Sequence, residues 1–260
     1  MEKIKAKKKY GQNFLSGGGF AERIASCSEA FSGMPFLEIG PGTGMLTAPM
    51  LERASFIDAV EIDEDMKRFL GPLSDSSEGR LRVIYGDFMD MKIDDILSKS
   101  GRYCVFANIP YYITAPIIEK LIAFRDRFSD IFLTVQKEAA ERICAPAGSR
   151  DSGSFSFFVE YHAERRLLFE IPRDAFEPVP KVDSAFIHLK IRENPPVDVP
   201  WMNIEPVVRT AFLQRRKNLR NSLKKMCPDI DAVLAMAGVG ASARPETLSL
   251  SDFARIAESL

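Results

Sequence analysis

Histidine is nearly absent from this chain: 260 residues contain two, His162 and His188. That scarcity argues against a histidine-rich metal centre and against a Ser-His-Asp hydrolase. Cysteine is scarce too. Cys27, Cys104, Cys144 and Cys227 lie far apart, with no paired spacing suited to zinc or dithiol chemistry. They read as reduced, mostly buried thiols of a cytoplasmic protein. No apolar run approaches the ~20 residues that cross a bilayer, and the opening MEKIKAKKKYGQNF lacks the hydrophobic region of a secretory signal. No membrane role is expected. Neither charge is in excess: 35 Lys and Arg against 36 Asp and Glu leave a formal net charge of −1, unlike an evenly basic nucleic-acid binder.

What is present is unevenly placed. Lys3, Lys5, Lys7, Lys8 and Lys9 crowd the N-terminus, and Arg215, Arg216, Lys217, Arg220, Lys224 and Lys225 crowd a late segment. The balancing acids are spread between them, so a polarised surface is expected. Short apolar runs at 35–40, 55–63, 81–87, 103–108 and 130–136 alternate with helical patterns at 19–30, 43–53, 65–70, 94–98, 115–127 and 137–144. Such alternation predicts a mostly parallel sheet covered on both faces. Polar loops are expected at 74–79 and 145–154, and further strands at 161–169 and 184–191. RENPPVDVP (192–200) is a proline-rich break, beyond which only helices are expected, near 205–213, 217–226, 229–237 and 250–259. The expected architecture is a Rossmann-like α/β domain over 1–193 with a small all-helical C-terminal domain over 200–260.

LEIGPGTG (37–44) sets Gly40, Gly42 and Gly44 between the first strand and a helix. Glycines there let backbone pass close to a ligand and expose amides; by itself, the triplet is equally a tight strand-to-helix turn. Glu61 ends the second strand, where a carboxylate reaches ribose hydroxyls. Asp87 ends the third, placed to accept from an adenine amino group, and Asn108 ends the fourth. Acceptors at successive carboxyl ends line the crevice where open α/β sheets bind ligands. The spacing G-P-G-T-G lacks the last step of G-x-G-x-x-G, which favours S-adenosylmethionine over a nicotinamide dinucleotide.

FANIPYYIT (106–114) breaks a buried strand with a proline. Transfer of a methyl group to the exocyclic nitrogen of adenine needs acceptors for its N–H groups, because that lone pair is delocalised into the ring. The Asn108 side-chain oxygen and the Ile109 carbonyl, kept off the ladder by Pro110, suit that task. Tyr111 would stack on the extruded base, and Tyr112 would pack in the interior. The plainer alternative is a turn whose tyrosines fill the core. No metal is called for.

N-I-P-Y after a glycine-rich loop resembles the N/D-P-P-Y/F/W motif of amino-group methyltransferases. YGQNFL (10–15), LEIGPGTG, VEID (60–63), QKEAAERI (136–143), FEPVPKVDSAF (176–186), AFLQRRKNLRNSL (211–223) and RPETLSLSDF (244–253) bring the likeness closer. Together, from about residue 8 onward, they resemble the KsgA/Dim family of small-subunit rRNA adenine-N6 dimethyltransferases. The resemblance implies dimethylation of two adjacent adenines in a hairpin near the 3′ end of small-subunit rRNA. It implies cofactor contacts at Asn13 and Leu15 besides Gly40, Gly42, Glu61, Asp87 and Asn108, and Phe176 as a second aromatic wall for the target base. Isoleucine stands at 109 where the family commonly has leucine, with only the backbone implicated. For an rRNA enzyme, Lys7, Lys8 and Lys9 together with Arg215, Arg216, Lys217 and Arg220 are expected to contact phosphates, although a solvated helix face is the bland alternative. The expected partner is rRNA within a pre-ribosomal small subunit, met by a monomer. Three other readings stay open: an Erm-type 23S rRNA methyltransferase, a non-catalytic assembly or transcription factor on the same fold, and a DNA adenine methyltransferase.

Overall fold

The computed structural model describes residues 6–16, 18–214 and 217–260, without the side chains of Lys8 and Tyr111. Among the described residues nine strands form: β1 Phe14–Leu15, β2 Pro35–Ile39, β3 Phe56–Glu61, β4 Leu81–Tyr85, β5 Tyr103–Asn108, β6 Phe128–Gln136, β7 Ala163–Ile171, β8 Phe176–Glu177 and β9 Ser184–Ile191. Seven make one sheet in the order β4-β3-β2-β5-β6-β9-β7. The pairs from β4 through β6 are parallel, and β9 enters antiparallel beside β6. β2 and β5 are buried along nearly their whole length, which is why they read as unbroken apolar runs.

The helices are α1 Gly18–Ser26, α2 Thr47–Leu51, α3 Lys67–Ser76, α4 Ile93–Ile96, α5 Thr114–Ala123, α6 Lys137–Cys144, α7 Ser154–His162, α8 Trp201–Phe212, α9 Leu219–Leu223, α10 Ile230–Met236 and α11 Leu250–Ser259. The chain divides into two compact units, one of residues 1–140 and 166–191, the other of 141–165 and 192–260. In the first unit, Phe36, Ile57, Phe106, Phe132 and Phe186 build the core, with the rings of Phe106 and Phe132 stacked 4.9 Å apart. His188 lies there too, its Nε2 2.7 Å from Asp130 Oδ1 and its ring stacked on Phe132, at the end of β6 remote from the strand tips considered below.

The second unit is helical, and its core joins Phe157 of α7, Val207 and Val208 of α8, and Phe253 of α11. α11 starts in a capping box, in which the Ser249 hydroxyl accepts from Asp252 N and the Asp252 carboxylate accepts from Ser249 N. Two local expectations need correction, and one pairing is new. α3 runs through Ser76, into the polar stretch read as a loop. A helix, α7, forms where a loop gave way to a strand; Phe157 holds it, with ring centroids 5.8 Å from Phe212 and 5.0 Å from Phe253. The two-residue strands β1 and β8 pair antiparallel, setting Leu15 opposite Phe176.

Candidate active site

The strand order reverses between β2 and β5, and open sheets bind ligands outside the carboxyl ends at such a switch point. Here that point is a solvent-open cleft. Its walls are residues 10–15, the turn after β2, Glu38, Glu61, and Asn108–Pro110.

The turn needs its glycines. Gly40 has φ +75°, and a Cβ there would lie 3.3 Å from the Asn108 carbonyl oxygen. Gly42 has φ +57°, and its Cβ would meet the Phe14 ring at 2.9 Å. Glu61 pins this turn to the tip of β3. Its Oε2 accepts from Gly42 N at 2.9 Å and its Oε1 from Asp63 N at 2.8 Å. Burial pushes the Glu61 pKa up, and those amides work against the rise. A carboxylate has about four acceptor positions, so capacity remains for a ribose diol.

Glu38 was not singled out from the sequence, yet it is the most unusual group in the cleft. It is buried in mid-strand, and its Oε2 has no hydrogen-bond partner. Thr47 of α2 approaches it, but the two miss hydrogen-bond geometry. Burial pushes the carboxyl up to about 8, with Glu61 adding to the rise. The available signal was a carboxylate inside an apolar strand run, which a core does not accept without a reason. A buried acid lacking a partner suits a cationic ligand group.

An arm closes one side of the cleft. The Lys7 ammonium lies 2.5 Å from both Asp63 and Asp65, and Gln12 donates to Asp63 at 2.8 Å. These partners raise the Lys7 pKa above its ordinary value, Asp63 foremost. Burial alone would push the Asp63 carboxyl up, but the bonds from Lys7 and Gln12 prevail and bring it below its usual range. Since Asp63 N also bonds Glu61, the arm is tied through one residue to the Glu61 end of the cleft.

Of the residues singled out, Asn13, Leu15, Gly40, Gly42, Glu61, Asn108, Ile109 and Pro110 come together as cleft walls. The Asn108 amide nitrogen donates to the Asn13 carbonyl at 3.4 Å, a weak contact that uses the donor end of the amide. Asp87 is exposed in the turn after β4 and does not line the cleft; its Oδ1 accepts from Met89 N at 2.8 Å. The Tyr111 side chain lies outside the described structure. Tyr112 corrects the expectation of packing: it is 69% exposed. Phe176 departs from its expected place as well. At 1% exposure it belongs to the core, so it offers no face to the cleft.

Among the basic residues, Lys7 is committed to the acids just named, and Lys9 lies 4.3 Å over the Tyr10 ring. Lys217 is exposed, and Arg220 pairs with Asp231 at 2.6 Å. The Lys8 side chain and all of Arg215 and Arg216 lie outside the described residues. No helix among the described residues is long and apolar enough to cross a membrane.

A dinucleotide fold orders its parallel strands 3-2-1-4-5-6. In this sheet an antiparallel strand intrudes before the last position, and the phosphate-binding glycine spacing is lacking. With a carboxylate under the glycine turn and an unpaired acid beside it, the class defined is that of Rossmann-like S-adenosylmethionine-dependent methyltransferases. Over residues 3–260 the chain matches the family described as ribosomal RNA adenine dimethylase, and it belongs to that family. It is 38% identical to the Ribosomal RNA small subunit methyltransferase A of Pseudomonas fluorescens (strain Pf0-1), over 98% of this chain and 93% of that protein. Among solved structures it is similar to the 23S rRNA methyltransferase ErmE, with 26% identity, a TM-score of 0.77 and coverage of 95% and 99% of the two chains. A dimethyladenosine transferase from Plasmodium falciparum is similar at 25% identity, with a TM-score of 0.76 and coverage of 94% and 95%. The chain is thus an S-adenosylmethionine-dependent rRNA methyltransferase.

Proposed function

We propose that this enzyme dimethylates N6 of two adjacent adenines in a 3′-terminal hairpin of small-subunit rRNA, as a monomer acting on a pre-ribosomal subunit in the cytoplasm. The observation that carries the reading is 38% identity, over nearly the whole chain, to a protein named for the small subunit, against 26% to the 23S enzyme.

S-adenosylmethionine supplies an electrophilic methyl group on a positively charged sulfur. The unpaired Glu38 and the glycine turn fit such a cationic ligand. Glu61 would hold its ribose, Asp87 its adenine amino group, and Asn13 and Leu15 its open side. The Asn108 Oδ1 and the Ile109 carbonyl accept from the target N–H groups, which favours a pyramidal amine and stabilises the charge growing on it. The proton displaced by each methyl leaves to solvent. Tyr111 stacks on the extruded base. Lys9, Lys217 and Arg220 contact phosphates, which positions RNA while base extrusion selects the adenine.

Supplying unmodified small and large ribosomal subunits with labelled S-adenosylmethionine tests this reading. Label in the small subunit is expected. Label confined to the large subunit overturns it in favour of 23S specificity.

A further inference from the structure

The Lys120 ammonium, on α5, is turned onto backbone rather than toward solvent. It donates to the carbonyls of Phe88 at 2.5 Å, Met89 at 3.0 Å and Met91 at 2.5 Å. An ammonium has three donors, and all three are used. Burial lowers the Lys120 pKa, and the nearby Asp87 and Asp90 oppose that shift.

The three carbonyls belong to the turn between β4 and α4. That turn is folded tightly: Gly86 has φ +151°, and a Cβ there would fall 2.4 Å from Met91 Cε. Irregular backbone has no ladder of its own to satisfy its carbonyls, so it takes the orientation that outside partners impose. One of these bonds has a specific consequence. The Phe88 carbonyl and the Met89 N–H belong to one planar peptide unit. Lys120 holds its oxygen, while Asp87 Oδ1 accepts from its N–H at 2.8 Å.

We propose that Lys120 is a positioning residue for the adenine end of the cofactor site, fixing the Phe88–Met89 peptide so that its N–H orients the Asp87 carboxylate. This rests on the reading of Asp87 as the acceptor for the cofactor's adenine amino group. Because α5 begins directly after the N-I-P-Y turn, the same ammonium joins the adenine-side turn to the helix that follows the catalytic segment.

The test is calorimetric titration of the full chain with S-adenosylhomocysteine, which reads binding without turnover. Lys120→Met and Asp87→Ala should each raise Kd about tenfold. The double variant should bind no worse than Asp87→Ala, since both act through one carboxylate, and Lys120→Arg should recover most of the affinity. Amide exchange at 87–91 should quicken in Lys120→Met. Lys120→Gln, which keeps an amide donor, serves should the methionine variant not fold. An unchanged Kd in Asp87→Ala removes the reading of Asp87 and the proposal with it. Weakened binding by Asp87→Ala beside unchanged binding by Lys120→Met overturns the proposal alone. So does a lowered Tm in Lys120→Met with Kd intact, which would make the lysine a structural tie only.

Discussion

Replacing Glu38 with glutamine should make the protein more stable at neutral pH and less able to bind its cofactor. The carboxyl is buried in mid-strand, one oxygen lacks a partner, and burial raises its pKa from 4.5 to about 8. The folded state therefore binds a proton that the unfolded chain releases. Stability from this group is full below about pH 4.5 and is lost as pH rises through the folded value. At about 1.4 kcal/mol per unit, the loss approaches ~3 kcal/mol at pH 7. Water entering the open cleft reduces it, so a difference of ~2 kcal/mol is a reasonable threshold. Glutamine keeps the shape and does not titrate. Urea denaturation of parent and Glu38→Gln from pH 5 to pH 8 reads the effect directly, because other titrating groups cancel in the difference. The variant's advantage should grow with pH. Parallel profiles would mean that burial does not hold Glu38 protonated in the folded protein. Cofactor binding near pH 7 should release a proton in the parent and not in the variant, as shown by calorimetry in buffers of different ionisation enthalpy.

Glu61→Ala should weaken cofactor binding by roughly 10- to 100-fold, since it removes charge-assisted bonds and leaves two backbone amides without acceptors; equal affinity in equilibrium titration would sink that assignment. Asn108→Ala should leave cofactor affinity nearly unchanged and slow single-turnover methylation by about 100-fold, the cost of removing one oriented hydrogen-bonding group from a developing charge. An unchanged rate contradicts its role. Gly42→Ala should lose ~1–2 kcal/mol from the left-handed backbone alone, and because its Cβ would press on Phe14, cofactor affinity should fall as well. A normal Tm and Kd would show that the turn relaxes freely.

The cleft was largely legible because parallel strands advertise themselves as apolar runs, and the first four runs here stop at a glycine, an acid or Asn108. What escaped depended on contacts far apart in sequence. SFSFFVEYH is rich in residues that favour strands, and it becomes α7 because Phe157 has Phe212 and Phe253 to pack against. β1 and β8 are two residues each, too short for any periodic signal. Their pairing joins the arm to the FEPVPKVDS segment and buries Phe176. Two adjacent tyrosines give no hint of which one faces water, and Tyr112 does. Glu38 was hidden by its apolar neighbours. The Lys7 pairs were hidden by reading the basic arm as a single charge run rather than lysine by lysine.

Primer extension across small-subunit rRNA reads adenine dimethylation nucleotide by nucleotide. Two methyl groups on N6 remove both donors of the adenine's pairing edge, which stops a reverse transcriptase, whereas one methyl group leaves a donor. After unmodified small subunits are incubated with the enzyme and S-adenosylmethionine, new stops are expected at two adjacent adenines in the 3′-terminal hairpin. Those stops should be absent without cofactor and strongly reduced with Asn108→Ala. Full-length extension through that hairpin, despite methyl incorporation elsewhere, would contradict dimethylation at those adenines.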